Sequence, residues 1–228
     1  MSKESFIYGI NSVAEALEYE SERIVKIFFV ENQKNNRVKS IIRQSNKKNI
    51  LSEEVTKEFL QNLLSTSKNQ GIAATLIQKD YFDAKTALHY LKNIESPLVL
   101  ILDDLDDPRN IGACYRTANA VGVDMVVVSK NRISLNSPVI SKVSSGAFEL
   151  TNTAIVSNIA QFIGKLKKNG FWIYGSSDTA NKDYTEIDYE SSTVIVIGSE
   201  GKGMRDLTAK KCDHTIRIPM KGQVESLN

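Results

Sequence analysis

From Pro97 onward, short unbroken apolar runs alternate with helical patterns, and this alternation limits the possible folds more than any other feature of the chain. Residues 98–102, 125–128, 153–156, 171–174 and 194–197 are strand-length stretches, most of them without an exposed polar face. Helical patterns fall over 111–120, from Pro138, over 158–168 and over 204–211, and a last strand is expected at 215–218. Strands with no polar face must be covered on both sides, so the pattern predicts an α/β fold with a mostly parallel sheet. Ligands of such sheets gather beyond the carboxyl ends of the strands. That rule places 103–112, 175–177, 198–203 and 219–228 on the functional rim.

Ahead of Pro97 lies what reads as a smaller α/β unit. Residues 24–30 (IVKIFFV) and 72–77 are expected strands, 34–45 a helix, 49–51 a short strand and 53–64 a helix capped by Ser52. Ser12 and Glu15 stand at capping-box spacing before an apolar stripe, which predicts a helix to about residue 20. The division is therefore 1–78, a linker at 79–96 that carries one helix from Asp83, and 97–228.

Composition excludes several classes. With 41% hydrophobic and 25% charged residues, the 228-residue chain has a core to bury and is not disordered. Its apolar runs are too short to span a bilayer, and the N-terminus lacks the succession of a secretory signal. A soluble, cytoplasmic protein without a membrane partner is expected. Two cysteines (Cys114, Cys212) and two histidines (His89, His214) build neither a disulfide framework nor a zinc site, so no metal is expected. Net charge is only +2, but between Arg23 and Lys48 eight cations face one acid, Glu31. Such a patch is either a solvated helix face or a phosphate-contacting surface, with Lys34, Arg37 and Arg43 as its candidates.

Three rim segments hold the chemistry-bearing residues. In the first, Pro108 stops the strand, Asn110 is a candidate cap, and Arg116 follows six residues later. On a helix that spacing is about 240° of net rotation, so the two do not share a face. The second, Gly198-Ser199-Glu200-Gly201-Lys202-Gly203, puts three glycines directly after a strand. It is neither a Walker loop nor the dinucleotide fingerprint, which disfavours a nucleotide-dependent oxidoreductase. The third runs from Ile218 to Asn228.

Together, DDPRNIGACYRTANAVG, VIGSEGKGM and IRIPMKGQVESLN resemble the three ordered motifs of the SpoU (TrmH) family of RNA 2′-O-methyltransferases. YGINSVAEAL and NQGIAATL resemble the small RNA-binding domain, related to ribosomal protein L30e, that precedes the catalytic domain in one branch. LNSPVISKVSSGAFE and LTAKKCD resemble segments of that branch, the bacterial 23S rRNA guanosine-2′-O-methyltransferases. The resemblance implies S-adenosylmethionine as cofactor, RNA as substrate, a homodimer, and a SPOUT-class α/β domain with a deep C-terminal trefoil knot. Carried over by position, it implies catalytic roles for Asn110, Arg116, Glu200, Ser226 and Asn228. It implies a cofactor pocket at Gly175, Ser176, Gly198, Ile218, Met220 and Leu227. Family members continue past the position of Asn228 into a further helix. A tRNA ribose methyltransferase and a non-catalytic RNA-binding protein are the competing readings.

Overall fold

A computed structural model describes residues 4–19, 21–32, 34–77, 80–130, 135, 137–189 and 191–222. Contacts divide these into two units. The first gathers described residues of 1–80, 112–116 and 134–150; the second gathers those of 81–111, 117–133 and 151–222.

The first unit opens with β1 (Glu4–Tyr8), α1 (Ile10–Tyr19), β2 (Ile24–Val30), α2 (Asn36–Lys47), β3 (Leu51–Val55), α3 (Lys57–Leu64) and β4 (Ile72–Ile77). The strands form one sheet in the order β1-β4-β2-β3, with β4 antiparallel to both neighbours and β2 parallel to β3. One face packs Ile7, Ile27, Ile72 and Leu76 against Val13 and Leu17 of α1 and Val38 and Ile41 of α2. The other packs Tyr8, Val55 and Ala73 against Leu60 and Leu64 of α3. Each such side chain contributes on the order of 1.5–3 kcal/mol when fully buried.

Two expectations need correction. Ser12 is not a cap: α1 has already begun at Ile10, and the buried Ser12 hydroxyl donates to the Ser141 carbonyl at 3.3 Å. The start of the helix is met from sixty positions away, where Gln70 Oε1 accepts from the Ile10 N–H at 2.8 Å. The helix expected over 53–64 starts at Lys57, with Thr56 Oγ1 accepting from the Phe59 N–H at 3.2 Å. Glu53 and Glu54 belong instead to β3, an edge strand, where charges guard an open ladder.

Onward along the chain come α4 (Ala84–Leu91), β5 (Leu98–Asp103), α5 (Pro108–Ala120), β6 (Met125–Ser129), α6 (Pro138–Val143) and α7 (Ala147–Leu150). They are followed by β7 (Thr153–Val156), α8 (Ile159–Lys167), β8 (Trp172–Ser176), β9 (Lys182–Asp183), β10 (Thr193–Gly198), α9 (Asp206–Ala209) and β11 (His214–Arg217). The seven strands form one sheet, β7-β6-β5-β10-β8-β11-β9, and every recorded pairing is parallel. β10 therefore enters between β5 and β8, with Ile195 opposite both Leu100 and Tyr174. One face of the sheet (Val99, Ile101, Val127, Ile173, Val196) packs against Ala87 and Leu91 of α4 and Phe162, Ile163 and Leu166 of α8. α4 has a reciprocal capping box: Asp83 accepts from the Thr86 N–H at 2.8 Å and Thr86 Oγ1 accepts from the Asp83 N–H at 2.9 Å. α6 and α7 belong to the first unit by contact. The threading that the family resemblance implies involves the segment after Gly222, which lies outside the described residues. Among the described residues no helix is long and apolar enough to cross a membrane, and no cluster of metal-ligating side chains occurs.

Candidate active site

β5 delivers the first motif. It ends at Asp103, and Pro108 begins α5 at the position where a missing N–H does no harm. The cap is Asp107, whose Oδ1 accepts from the Arg109 N–H at 2.8 Å. Asn110 is thus not the cap but a first-turn residue, and its side chain is released for another contact. Its Nδ2 donates to Glu200 Oε2 at 3.3 Å, which joins the first and second motifs across ninety positions.

The second motif is a loop closed on itself. Ser199 and Gly203 exchange backbone hydrogen bonds at 3.0 and 2.8 Å, with Gly201 at φ +84° and Gly203 at φ +66°. Both lie in the left-handed region that glycine enters without penalty. A Cβ on Gly198 would come within 2.0 Å of the Gly203 backbone, so the end of β10 and its loop are in direct contact. Behind the loop, Asp103 is fully buried and receives the Arg205 backbone N–H at 2.9 Å and Nε at 2.8 Å. Arg205 Nη2 completes the pair. This clasp ties the second motif to the strand that carries the first.

The end of β8 is equally tight. A Cβ on Gly175 would meet Met204 Cε at 2.5 Å and Cys212 Sγ at 2.8 Å. Burial, with Asp213 nearby, pushes the Cys212 thiol up to about 11, so it is not a nucleophile at neutral pH. A cavity of about 470 Å³ opens in the second unit, lined by Leu98, Ser176, Tyr189, Ile195, Ile197 and Ile218 among others. Its size and its mostly apolar wall with a few hydroxyls suit a nucleoside-like ligand, so the residues present fit the cofactor implied by the resemblance. Of the residues expected to hold it, Ser176 and Ile218 border this cavity, Gly175 and Gly198 make the close backbone approaches, and Met220 is exposed. Leu227, Ser226 and Asn228 lie outside the described residues.

Arg116 is exposed on α5, and the structure does not group it with Asn110 and Glu200 by any recorded hydrogen bond. Its recorded electrostatic partner is Glu15 of α1: burial raises the Glu15 carboxyl above its ordinary value, and the Arg116 charge draws it back down. On α2, Val38, Ile41 and Ser45 face inward, which turns Arg37 and Arg43 to solvent, and Lys34 just before the helix is exposed as well. Arg37 Nη2 donates to Asn11 Oδ1 at 2.9 Å. Asp103 and Arg205 were not singled out by the sequence. The one available signal was an acid at the end of an apolar run, and its partner lies 102 positions on.

Comparison with known proteins gives two family matches. Residues 97–228 match the model of the SpoU rRNA Methylase family, and residues 6–82 match RNA 2′-O ribose methyltransferase substrate binding. The chain is 41% identical over 229 residues to a 23S rRNA (guanosine-2′-O-)-methyltransferase RlmB of Coxiella burnetii, covering 100% of this chain and 91% of that protein. It is 38% identical over 227 residues to a putative TrmH family tRNA/rRNA methyltransferase of Staphylococcus aureus, covering 99% and 91%. Among solved structures, the SpoU methyltransferase AviRb from Streptomyces viridochromogenes, in complex with AdoMet, aligns with a TM-score of 0.78 at 19% identity, over 99% of this chain and 84% of that one. An RNA 2′-O ribose methyltransferase aligns with a TM-score of 0.79 at 22% identity, over 100% and 83%.

Proposed function

Because the chain belongs to the SpoU rRNA methylase family, we propose that it is a homodimeric enzyme that methylates the ribose 2′-hydroxyl of a guanosine in 23S rRNA, with S-adenosylmethionine as donor. With an rRNA substrate, the cytoplasm is the compartment this reading expects. The observation that carries the assignment of residues is the hydrogen bond from Asn110 to Glu200, which joins two motifs at the carboxyl ends of neighbouring strands.

When bound, S-adenosylmethionine supplies a methyl group on an electrophilic sulfonium. Ser176 and Ile218, with the backbone at Gly175, Gly198, Met220 and Leu227, hold it in this reading. The chain's own task is to bring a weak nucleophile, the 2′-hydroxyl, into line and keep it there, because orientation removes much of the entropic barrier. Glu200 takes the Asn110 amide N–H, which leaves the carboxamide oxygen as an acceptor for a ribose hydroxyl. Ser226, which with Asn228 lies outside the described residues, would help Asn110 fix the ribose, as the family resemblance implies. Arg116 holds a substrate phosphate or the developing alkoxide, since a guanidinium gives up its proton too reluctantly to act as a base. Lys34, Arg37 and Arg43 meet the RNA backbone, which positions the substrate without reading its sequence.

Methyl incorporation from labelled S-adenosylmethionine into separate rRNA and tRNA pools tests the substrate: label in tRNA alone would overturn the 23S assignment. Arg116→Lys tests the site, since retained turnover with an unchanged pH dependence would remove the guanidinium from the mechanism. Reversing charge at Lys34, Arg37 and Arg43 is expected to weaken RNA binding and flatten its salt dependence. An unchanged slope would return these cations to a solvated surface.

A further inference from the structure

Two cations of the first unit reach carboxylates. Lys26 reaches Glu53 at 2.8 Å, and Arg23 reaches the buried Glu149 at 3.1 Å. Lys142 of α6 and Lys68, just ahead of β4, differ from the exposed cations of α2 in standing against each other. Lys142 Nζ donates to the Lys68 backbone carbonyl and lies over the Tyr8 ring at 5.2 Å from its centroid. Among the described residues neither lysine is paired with a carboxylate. Lys142 is half-buried, and its ammonium is held below its ordinary pKa, first by burial and then by the Lys68 charge. A half-buried ammonium held beside a second cation is a place where an anion would be favoured.

Contacts connect this pair to the α2 surface. Lys68 is two residues from Gln70, whose Oε1 takes the Ile10 N–H at 2.8 Å, and the next residue, Asn11, accepts from Arg37 at 2.9 Å. Lys142 also stands one residue before Val143, which lies against Gly112 of α5, one turn from Arg116. Arg37, Lys68, Lys142 and Arg116 thus belong to one unit and are joined through these contacts, with the Glu15 carboxylate beside Arg116.

We propose that Lys142 and Lys68 form an RNA phosphate site, the middle anchor of a backbone track that runs from Arg37 on α2 to Arg116 on α5. The site rests on the RNA-methyltransferase reading and specifies where its substrate lies. A phosphodiester supplies the missing charge, and the carbonyl and ring that hold the Lys142 ammonium fix its direction. Phosphate contacts of this kind fix register and orientation without reading sequence.

The test uses the full chain and in vitro transcribed 23S rRNA, with affinity measured by filter binding across a salt series. Lys142→Gln is expected to lower the slope of log K against log salt by about 0.7–0.9, the value for one phosphate contact. Lys142→Arg keeps the charge and is expected to keep the slope, while thermal melts of both variants match the parent. An unchanged slope in Lys142→Gln, or an equal loss in Lys142→Arg, overturns the site. The two failures are separable. A parent protein that methylates 23S rRNA beside a Lys142→Gln variant with its slope intact defeats this site alone. A parent that binds with the expected slopes but transfers no methyl group defeats the enzymatic reading and leaves the site standing.

Discussion

Replacing Asp103 by asparagine preserves its shape while removing its charge and turning one of its two acceptors into a donor. The carboxylate is fully buried and takes three N–H groups of Arg205, one from the backbone and two from the guanidinium. Breaking a buried, hydrogen-bonded ion pair by altering one partner costs about 3–5 kcal/mol. The Arg205 side chain is 37% exposed, so water partly solvates the guanidinium left behind when Asp103 is changed, whereas Asp103 left without it stays fully buried. Asp103→Asn is therefore expected to cost about 3–4 kcal/mol, and Arg205→Met, which keeps the backbone bond but strands the buried charge, about 3–5 kcal/mol. The double variant is expected to cost little more than Asp103→Asn alone, a coupling of at least about 1.5 kcal/mol. Urea unfolding followed through Trp172 reads this directly, because it is the only tryptophan and sits in β8 of the same sheet. For a chain of this length, about 3–4 kcal/mol corresponds to a melting point lower by about 6–16 °C. Additive single-variant costs, or an Asp103→Asn cost under about 1 kcal/mol, would refute the clasp as a source of stability.

Three further outcomes follow from contact distances and burial. Gly198→Ala puts a carbon 2.0 Å from the Gly203 backbone. It is expected to cost about 1–3 kcal/mol and to weaken S-adenosylmethionine binding in calorimetry. Gly164→Ala, in α8 with nothing within 4 Å of the new methyl, is expected instead to raise stability by about 0.5–1 kcal/mol in the same melts; the reverse order of the two would discredit the contact reasoning. At pH 8 the Cys212 thiolate is expected to be about a hundredfold scarcer than that of a thiol at the ordinary value of 9.0, its pKa being raised to about 11. Iodoacetamide labelling of the native protein, read by mass spectrometry, should rise about tenfold per pH unit between 8 and 10. A rate at pH 8 equal to that of a free thiol would contradict the burial.

How much of this was legible in the sequence depended on how local the signal was. β2, β4 and β7 fall where β-branched apolar runs place them, because a buried strand declares itself by composition. Asn158 and Asp83 read correctly as helix starts, since each binds N–H groups two or three residues on. Ser12 and Ser52 have the same chemistry and fail as caps, because Ser141 and Asn46 take their hydroxyls. The true partner of the α1 terminus, Gln70, has no local signature at all. The same holds at the site: Asp107 rather than Asn110 caps α5, and that local exchange frees Asn110 for Glu200. Spacing alone left Asn110 as a cap; the motif resemblance marked it as functional, and the contact between motifs required the sheet order β5-β10, which brings residue 198 beside residue 103. β1 and β9 gave no sufficient sequence pattern, being a short N-terminal strand and a two-residue edge.

The late entry of β10 between β5 and β8 has a consequence for biosynthesis. When β7, β6 and β5 have left the ribosome, the open flank of β5 offers a row of unpaired amides and carbonyls that only a segment about ninety residues downstream can fill. Until then that flank is a template for pairing with any neighbouring nascent chain. Premature termination anywhere before residue 193 leaves half a sheet with its central seam exposed, so ribosome stalling in this stretch is expected to yield aggregates rather than a shortened folded domain.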